Sequence, residues 1–205
     1  MYLRVKRALD FVIALISLVL LSPVMALIAL LVRLSSPGPV LFRQQRMGIH
    51  KQPFTIYKFR TMRLDAPSEK ATNQLKHAER YITRVGGFLR KSSLDELPQL
   101  VNILKGEMAI VGPRPVILRE KKLIAERDLY GANDVLPGLT GLAQLNGRDK
   151  VPYKVKARMD GEYVKNITFL GDLKLILLTI GAVVHSRDVV EGAQLDKSTG
   201  NTGSK

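Results

Sequence analysis

An adjacent pair of carboxylates, Asp95-Glu96, is the first feature of the sequence that could carry chemistry. The pair follows Ser93 in an S-x-x-E pattern, which predicts a capped helix that begins at Ser93 and runs towards Lys105. A carboxylate at a helix start lies beside free backbone N–H groups, which also bind phosphate. In a basic protein such a carboxylate can hold Mg²⁺ or attack phosphorus, although acids in a first turn often only complement the helix dipole. Asp95 and Glu96 are therefore candidate catalytic and metal-binding residues.

Four cations in constrained backbone settings accompany the acidic pair. Prolines on both sides fix Arg114 in a rigid loop, and a preorganised guanidinium matches phosphate oxygens bidentately. Lys58 and Arg60 bring charge to the end of a predicted strand, and Arg148 follows a glycine in a predicted turn. Together they predict a binding site for a multiply charged anion. A purely structural role for Arg114, capping a helix, is the alternative.

The overall charge also predicts an anionic partner. The chain of 205 residues carries 32 Lys and Arg against 18 Asp and Glu, a formal charge of +14. Nucleic acid, anionic lipid and a phosphorylated substrate would all suit this excess. Tryptophan is absent and aromatic residues make up 6%, which argues against a nucleic-acid surface built on base stacking. The absence of cysteine excludes a disulfide framework and a thiol nucleophile.

The N-terminal segment has the composition of a membrane element. Residues 11–32 contain no charge, and a helix of this length can just cross a ~30 Å hydrocarbon core. Pro23 removes a backbone donor within the run, and the Ser22 hydroxyl can bond the freed carbonyl. Basic residues flank both ends, which the positive-inside tendency places on one cytoplasmic side. A re-entrant helix is therefore favoured, a kinked spanning helix is the alternative, and Asp10 is expected to pair with a nearby cation.

The elements that must position these residues are predicted to be short. β-prone runs at residues 40–42 and 54–59 indicate a hairpin. Helical spacing covers residues 117–129 and 153–165. The apolar stretch at residues 170–184 is too short to span comfortably, so it is expected to lie in the membrane interface or on the core.

These patterns predict an α+β fold that is mostly helical. It comprises a re-entrant membrane helix over residues 1–36, a catalytic domain over residues 37–190 with amphipathic interfacial helices and a small β-hairpin around the active site, and a disordered tail over residues 191–205. Gly86-Gly87 is expected to end a helix that starts near residue 78.

Seven motifs, in order along the chain, resemble those of the small monotopic phosphoglycosyl transferases, the bacterial sugar transferase family that includes the bacillosamine-phosphate transferases. They are K-R-A-L-D-F at residues 6–11, L-S-P at 21–23, Y-K-F-R-T-M at 57–62, S-L-D-E-L-P-Q-L at 93–100, V-G-P-R-P at 111–115, P-G-L-T-G at 137–141 and Q-L-N-G-R at 144–148. Each motif alone is weak, whereas all of them in family order are specific.

The resemblance implies a particular reaction and a role for each matched residue. Asp95 matches the family's nucleophile, which would attack the β-phosphorus of a UDP-sugar, release UMP and pass the phosphosugar to undecaprenyl phosphate. Glu96 matches the second member of the pair, close to Mg²⁺. Arg114 and Arg148 match arginines on the substrate phosphates or uridine. Asp160 falls where the family carries an acidic residue before the segment Y-V-K-N, and it is expected at the substrate.

The resemblance also implies where the enzyme works. Ser22-Pro23 matches the break of the family's re-entrant helix, which would hold the protein on the cytoplasmic face of the bacterial inner membrane. An N-acetylated sugar is the expected donor group, with a plain hexose open, and the oligomeric state is undetermined. Two functions are the alternatives to phosphoglycosyl transfer. One is a glycosyltransferase that moves sugar without phosphate and releases UDP, and the other is a basic membrane-anchored binding protein without turnover.

Overall fold

The computed structural model describes residues 2–66, 78–147 and 151–184. The tail predicted over residues 191–205 and the predicted substrate-binding Arg148 lie outside these residues. Within the described part, the protein is mostly helical and has two small two-stranded sheets, which confirms the predicted α+β class.

The longest element is helix α1, Tyr2–Ser35. It is long and apolar enough to cross a membrane, and 11% of its most apolar 18-residue segment is buried inside the protein. Its exposed residues are mainly large aliphatic side chains, a surface suited to lipid. The buried positions follow helical spacing along one face. They are Lys6, Asp10, Ala14, Ile28 and Val32.

The proline within α1 is accommodated by its neighbouring serine. Pro23 has no N–H to donate to the carbonyl of Val19, four residues earlier. The Ser22 hydroxyl donates to that carbonyl instead, at 2.8 Å, which confirms the predicted compensation. The structure has one helix with a proline inside, where the sequence predicted two helices separated by a break.

Both halves of α1 pack on the same globular domain. Ala14 joins a core cluster with Ile110 and Leu175. Val32, near the other end of the helix, joins a second cluster with Phe59. The two halves of α1 are therefore both packed against the rest of the described protein.

A buried charged network strengthens the contact at the N-terminal end of α1. The Lys6 ammonium lies 3.2 Å from Asp10 and 2.9 Å from Asp172, and all three residues are less than a tenth exposed. The Tyr2 hydroxyl donates to Asp172 at 2.8 Å, and the Tyr163 hydroxyl lies 2.9 Å from the other carboxylate oxygen. The predicted pairing of Asp10 is confirmed. Because buried ion pairs tolerate little displacement, this network fixes orientation more than it adds stability.

The predicted hairpin is present. Strand β1, Leu41–Met47, pairs antiparallel with β2, Pro53–Phe59, along its whole length. The connection is a short 3₁₀ turn in which His50 and Lys51 take positive φ angles of 51° and 60°. The strand β2 ends beside the acidic pair and delivers Lys58 to it.

The second sheet brings two glycine-containing motifs together. Strand β3, Ala109–Val111, pairs in parallel with β4, Gly138–Thr140. A Cβ on Gly138 would lie 2.1 Å from the Gly112 nitrogen, so only glycine permits this approach. The Gly138 N–H donates to the Pro113 carbonyl at 2.9 Å. The contact holds the loop that carries Arg114.

Helix α2, Arg84–Ser92, corrects one expectation about glycine. It runs through Gly86-Gly87, so the prediction that this pair ends a helix is wrong. Thr83 caps the helix by accepting a hydrogen bond from the Gly86 N–H at 2.9 Å. A Cβ on Gly86 would lie 2.0 Å from the Thr61 carbonyl oxygen, so this glycine serves a close backbone contact.

The remaining helices surround the sheets. They are α3 (Leu100–Leu104), α4 (Lys121–Asp128), α5 (Leu142–Leu145), α6 (Tyr153–Lys165) and α7 (Phe169–Val184). Helix α6 has the bounds predicted from the sequence. Helix α7 buries Asp172 and Leu175 and exposes Leu170 and Leu177, so one face packs on the core and another is apolar and open. This arrangement fits an interfacial helix.

Candidate active site

Asp95 and Glu96 lie in a 3₁₀ turn, Leu94–Gln99, that leads into α3. Pro98 lacks an N–H and prevents an α-helix from starting earlier. A helical segment begins after Ser93 as predicted, but it is a 3₁₀ turn, and the α-helix starts only at Leu100. Ser93 takes a positive φ of 56° and makes no side-chain capping bond, so the predicted capping box is wrong. The sharp turn at Ser93 ends α2 and redirects the chain.

Glu96 is the centre of a three-residue charged cluster. Its Oε1 accepts from the Lys58 ammonium at 2.7 Å and from the Arg114 guanidinium at 3.1 Å. Burial opposes ionisation of Glu96, but the charges and hydrogen bonds of Lys58 and Arg114 outweigh it and hold the pKa of this carboxyl well below its ordinary value. Three of the predicted site residues are therefore in direct contact, and Glu96 is ionised across the physiological range.

Asp95 lies next to this cluster and is 8% exposed. A carboxylate shielded from water keeps more of its nucleophilic strength than a hydrated one, provided that its negative charge is balanced nearby. Within the neighbouring cluster, the charges of Lys58 and Arg114 exceed the charge of Glu96 by one. The approach of an anionic substrate is then not opposed by a net negative site.

The backbone of Arg114 is held by a side chain of α4. Arg127 donates to the Arg114 carbonyl at 3.1 Å, and the same guanidinium holds Asp160 at 2.6 Å and 2.8 Å. Asp160 is 2% exposed, and burial raises the pKa of its carboxyl while the Arg127 charge works against that rise. The contacts give Asp160 a positioning role through Arg127, whereas its predicted contact with substrate stays a prediction.

Arg60 makes a different set of contacts from the one predicted. It is 5% exposed, and its guanidinium donates to the carbonyls of Ser36 and Pro37 and, at 3.4 Å, to that of Val32. Free carbonyls at a helix C-terminus attract cations. Arg60 therefore anchors the end of α1 to β2, and a role in substrate binding remains only an expectation.

Two positioning residues had not been identified from the sequence. Arg127 gave no signal, because an arginine in a polar helix is usually solvated. Asn102 is fully buried; it accepts from the Tyr57 N–H at 3.2 Å and donates to the Thr55 carbonyl at 2.7 Å. This asparagine fixes β2 beside α3 and so aligns Lys58. A polar residue inside the apolar run of α3 was the signal that could have revealed it.

A divalent cation at the acidic pair would need ligands in addition to these two carboxylates. Among the described residues there is no group of three or more His, Cys, Asp and Glu side chains that could form a metal site on its own. Magnesium commonly uses one or two carboxylates together with substrate phosphates and water. Lys58 and Arg114 both contact Oε1 of Glu96, so Oε2 of Glu96 is a fitting donor atom for such a cation.

Comparison with known proteins extends the resemblance seen in the motifs. A Bacillus subtilis protein named uncharacterized sugar transferase EpsL is 40% identical over 184 residues, which cover 90% of this chain and 89% of that protein. A UDP-glucose:undecaprenyl-phosphate glucose-1-phosphate transferase of Caulobacter vibrioides is 40% identical over 194 residues, 87% of this chain and 69% of that protein. The Escherichia coli protein of the same name is 42% identical over 184 residues, 85% of this chain.

The chain spans 39% of the Escherichia coli relative, so that protein has further regions beyond the shared one. The model of the family described as bacterial sugar transferase matches residues 1–186, and the chain therefore belongs to this family.

Proposed function

We propose that this protein is a membrane-bound phosphoglycosyl transferase, which moves a sugar phosphate from a UDP-sugar to undecaprenyl phosphate and starts the synthesis of a glycoconjugate. The observation that carries the proposal is the shielded carboxylate of Asp95 beside Glu96, whose charge Lys58 and Arg114 balance. The relatives named as undecaprenyl-phosphate glucose-1-phosphate transferases support the same reaction.

The proposed mechanism uses Asp95 as a covalent nucleophile. A carboxylate oxygen forms a bond to the β-phosphorus while the bond from that phosphorus to the bridging oxygen breaks, so UMP leaves with the oxygen. A phosphate oxygen of undecaprenyl phosphate then attacks the same phosphorus and releases the Asp95 carboxylate. Splitting the transfer lets a soluble donor and a lipid acceptor use one site in turn.

Lys58 and Arg114 stabilise the charge that develops on the phosphoryl oxygens. Arg114 is the more accessible of the two, with 28% of its side chain exposed against 14% for Lys58. Its guanidinium can contact two phosphate oxygens at once. Arg148, in the segment beyond the described residues, is proposed as a further phosphate or uridine contact.

Magnesium is the proposed cofactor. Asp95 and Glu96 would hold it together with the donor diphosphate, and it would supply neutralisation of the phosphate charge. Lys58 and Arg114 keep Glu96 ionised, which prepares it as a ligand without the need for proton loss on binding.

The donor sugar is the least constrained part of the proposal. The sequence favoured an N-acetylated sugar, whereas two of the relatives described above are named for UDP-glucose. UDP-glucose is therefore the first donor to assay, followed by UDP-N-acetylhexosamines.

We further propose that α1 is re-entrant and that the catalytic domain lies on the cytoplasmic face of the inner membrane. Lys6 near one end of α1 contacts Asp172, and Val32 near the other end packs on Phe59. A globular domain on one side of a bilayer cannot contact both ends of a helix that crosses it. Pro23 in the middle of the helix supplies the position for a bend.

The released nucleotide tests the reaction class. Purified protein in detergent is incubated with a UDP-sugar, Mg²⁺ and undecaprenyl phosphate, and the nucleotides are separated by chromatography. Phosphosugar transfer yields UMP in equal amount to lipid-linked product. Release of UDP would establish glycosyl transfer instead, and absence of turnover with every UDP-sugar would contradict an enzymatic role. Asp95→Asn is the control, because it keeps the side-chain size and removes the nucleophile.

A further inference from the structure

A small cavity lies between the N-terminal half of α1 and the end of α3. Its volume is about 170 Å³, smaller than the roughly 300–1,000 Å³ of pockets for drug-sized ligands. Its apolar wall includes Phe11, Leu104 and Met108, and its polar rim includes Arg7 and Lys105. The size and lining suit a compact anionic group attached to an apolar body.

The two cations at the rim are available to a ligand. Within the described part of the chain, the Arg7 side chain has no hydrogen-bond or ion-pair partner. Gly106 makes room for it: a Cβ there would lie 2.9 Å from the Arg7 Nη2, and this glycine has a φ of +75°. The Lys105 ammonium donates one bond to the Tyr57 hydroxyl at 2.9 Å and lies 4.7 Å from the centroid of the same ring. An ammonium has three donors, so Lys105 can also donate to an anion.

The acidic residue in the cavity lining has a cationic partner, the Lys6 ammonium, which it shares with Asp172. Asp10 is the acidic residue that lines the cavity, and its carboxylate pairs with Lys6 at 3.2 Å. An anion between Arg7 and Lys105 therefore meets two cations and a paired carboxylate.

This cavity is separate from the acidic pair. Glu96 and Lys105 lie on consecutive 3₁₀ and α-helical segments, which advance about 2.0 Å and 1.5 Å per residue, so they are on the order of 15 Å apart along the axis. The lining residues include none of the charged cluster around Glu96. A ligand here would bind at the opposite end of the segment from the reaction.

We propose that this cavity binds the phosphodiester headgroup of an anionic membrane phospholipid. Phe11 is 46% exposed and lies on α1, so the acyl chains of a bound lipid can continue along the apolar surface of that helix. Basic pockets beside membrane helices bind such headgroups. The bound lipid would set the depth of α1 at the membrane surface independently of catalysis.

Native mass spectrometry of the full chain can test this site with phosphatidylglycerol as the probe. The protein is released from mixed micelles of phosphatidylglycerol and phosphatidylcholine, and retained lipid is counted. We expect one phosphatidylglycerol on the parent and about thirtyfold weaker retention in R7Q/K105Q, since each cation near a membrane surface contributes modestly to anion binding. The control K121Q/K122Q removes two exposed cations from α4 and should retain the lipid.

Other outcomes would overturn the proposal. Equal retention in the parent and R7Q/K105Q would show that the cavity is not the site. Displacement of the lipid by inorganic phosphate would assign the cavity to free phosphate, and displacement by undecaprenyl phosphate would assign it to the acceptor substrate. Arg7→Gln alone, which removes no described hydrogen bond or ion pair within the protein, should weaken retention by itself and so separates lipid binding from any folding defect in the double variant.

Discussion

At the scale of single residues, Glu96 links the chemistry of the site to its stability. Lys58 and Arg114 both contact one of its oxygens, so removal of its charge would leave two cations facing each other in a shielded position. The carboxylate therefore holds the two cations in place.

This pairing predicts a pH dependence of stability. The pKa of Glu96 in the folded protein lies below its ordinary value of 4.5. Its contribution to the free energy of unfolding is therefore complete above pH 4.5 and is lost as the pH falls towards the folded pKa. We expect Glu96→Gln to lower the free energy of unfolding by about 2–3 kcal/mol at neutral pH. The difference from the parent should shrink below pH 4.5. Denaturant titrations in detergent at several pH values measure this difference in the free energy of unfolding, with Glu162→Gln at an exposed position as the control. A difference that does not change with pH would contradict this role of Glu96.

The buried pair of Asp160 and Arg127 makes a second prediction at this scale. Asp160→Asn leaves a buried guanidinium without its counter-charge and should destabilise the protein by about 3–5 kcal/mol. The apolar double variant Asp160→Leu/Arg127→Met should recover much of that stability. It should still show reduced kcat, because the Arg114 carbonyl has lost its tether. Recovery of both stability and kcat in the double variant would show that the pair has no positioning role.

Residue types and spacing were sufficient to predict part of the site. The sequence marks Asp95 and Glu96 by their acidity, Lys58 by its position at a strand end and Arg114 by its flanking prolines. In the structure, Glu96 contacts both Lys58 and Arg114. The contact of Arg127 with Asp160 joins residues 33 positions apart, and no local pattern reports such a pairing.

At the scale of elements, the glycines of α2 show why local signals mislead. Glycine usually weakens a helix, yet Gly86 allows the helix to lie against the backbone of Thr61. A gain in tertiary packing there outweighs the local preference. The same applies to the turn before α3, where Pro98 and the conformation of Ser93 decide the helix start and the S-x-x-E pattern does not.

The two adjacent glycines give a matched prediction. Gly86→Ala would place a methyl group 2.0 Å from a backbone oxygen and should destabilise the protein by about 1–3 kcal/mol. Gly87→Ala meets nothing closer than an Ile82 carbon at 3.9 Å and should stabilise it by about 0.5–1 kcal/mol. Thermal unfolding in detergent compares the two variants. Equal effects would contradict the close contact at Gly86.

At the scale of the whole molecule, α1 and the rest of the described protein form one packed unit. The sequence predicted a membrane element from the length of the uncharged run. It did not predict that Lys6 and Asp172 would join, since they are far apart in the chain and their pairing depends on how α1 lies on the domain. In the proposed re-entrant arrangement, the path of α1 would set the depth of the candidate site at the membrane surface.

The path of α1 can be measured with single cysteines, because the chain contains none. If α1 is re-entrant, Leu3→Cys and Gln45→Cys should react with a membrane-impermeant maleimide only in inverted inner-membrane vesicles. Leu20→Cys, near the proline, should be protected in both orientations of the membrane. Labelling of the first two positions from opposite sides would establish a spanning helix.

The most direct test of the proposed chemistry is the intact mass of the protein after exposure to the donor alone. Purified protein is incubated with a UDP-sugar that supports turnover and Mg²⁺, without lipid acceptor, and then analysed by mass spectrometry. We expect the mass to rise by one phosphosugar, with equimolar UMP, in the parent but not in Asp95→Asn. No adduct in the parent, with turnover only when both substrates are present, would contradict a covalent intermediate on Asp95.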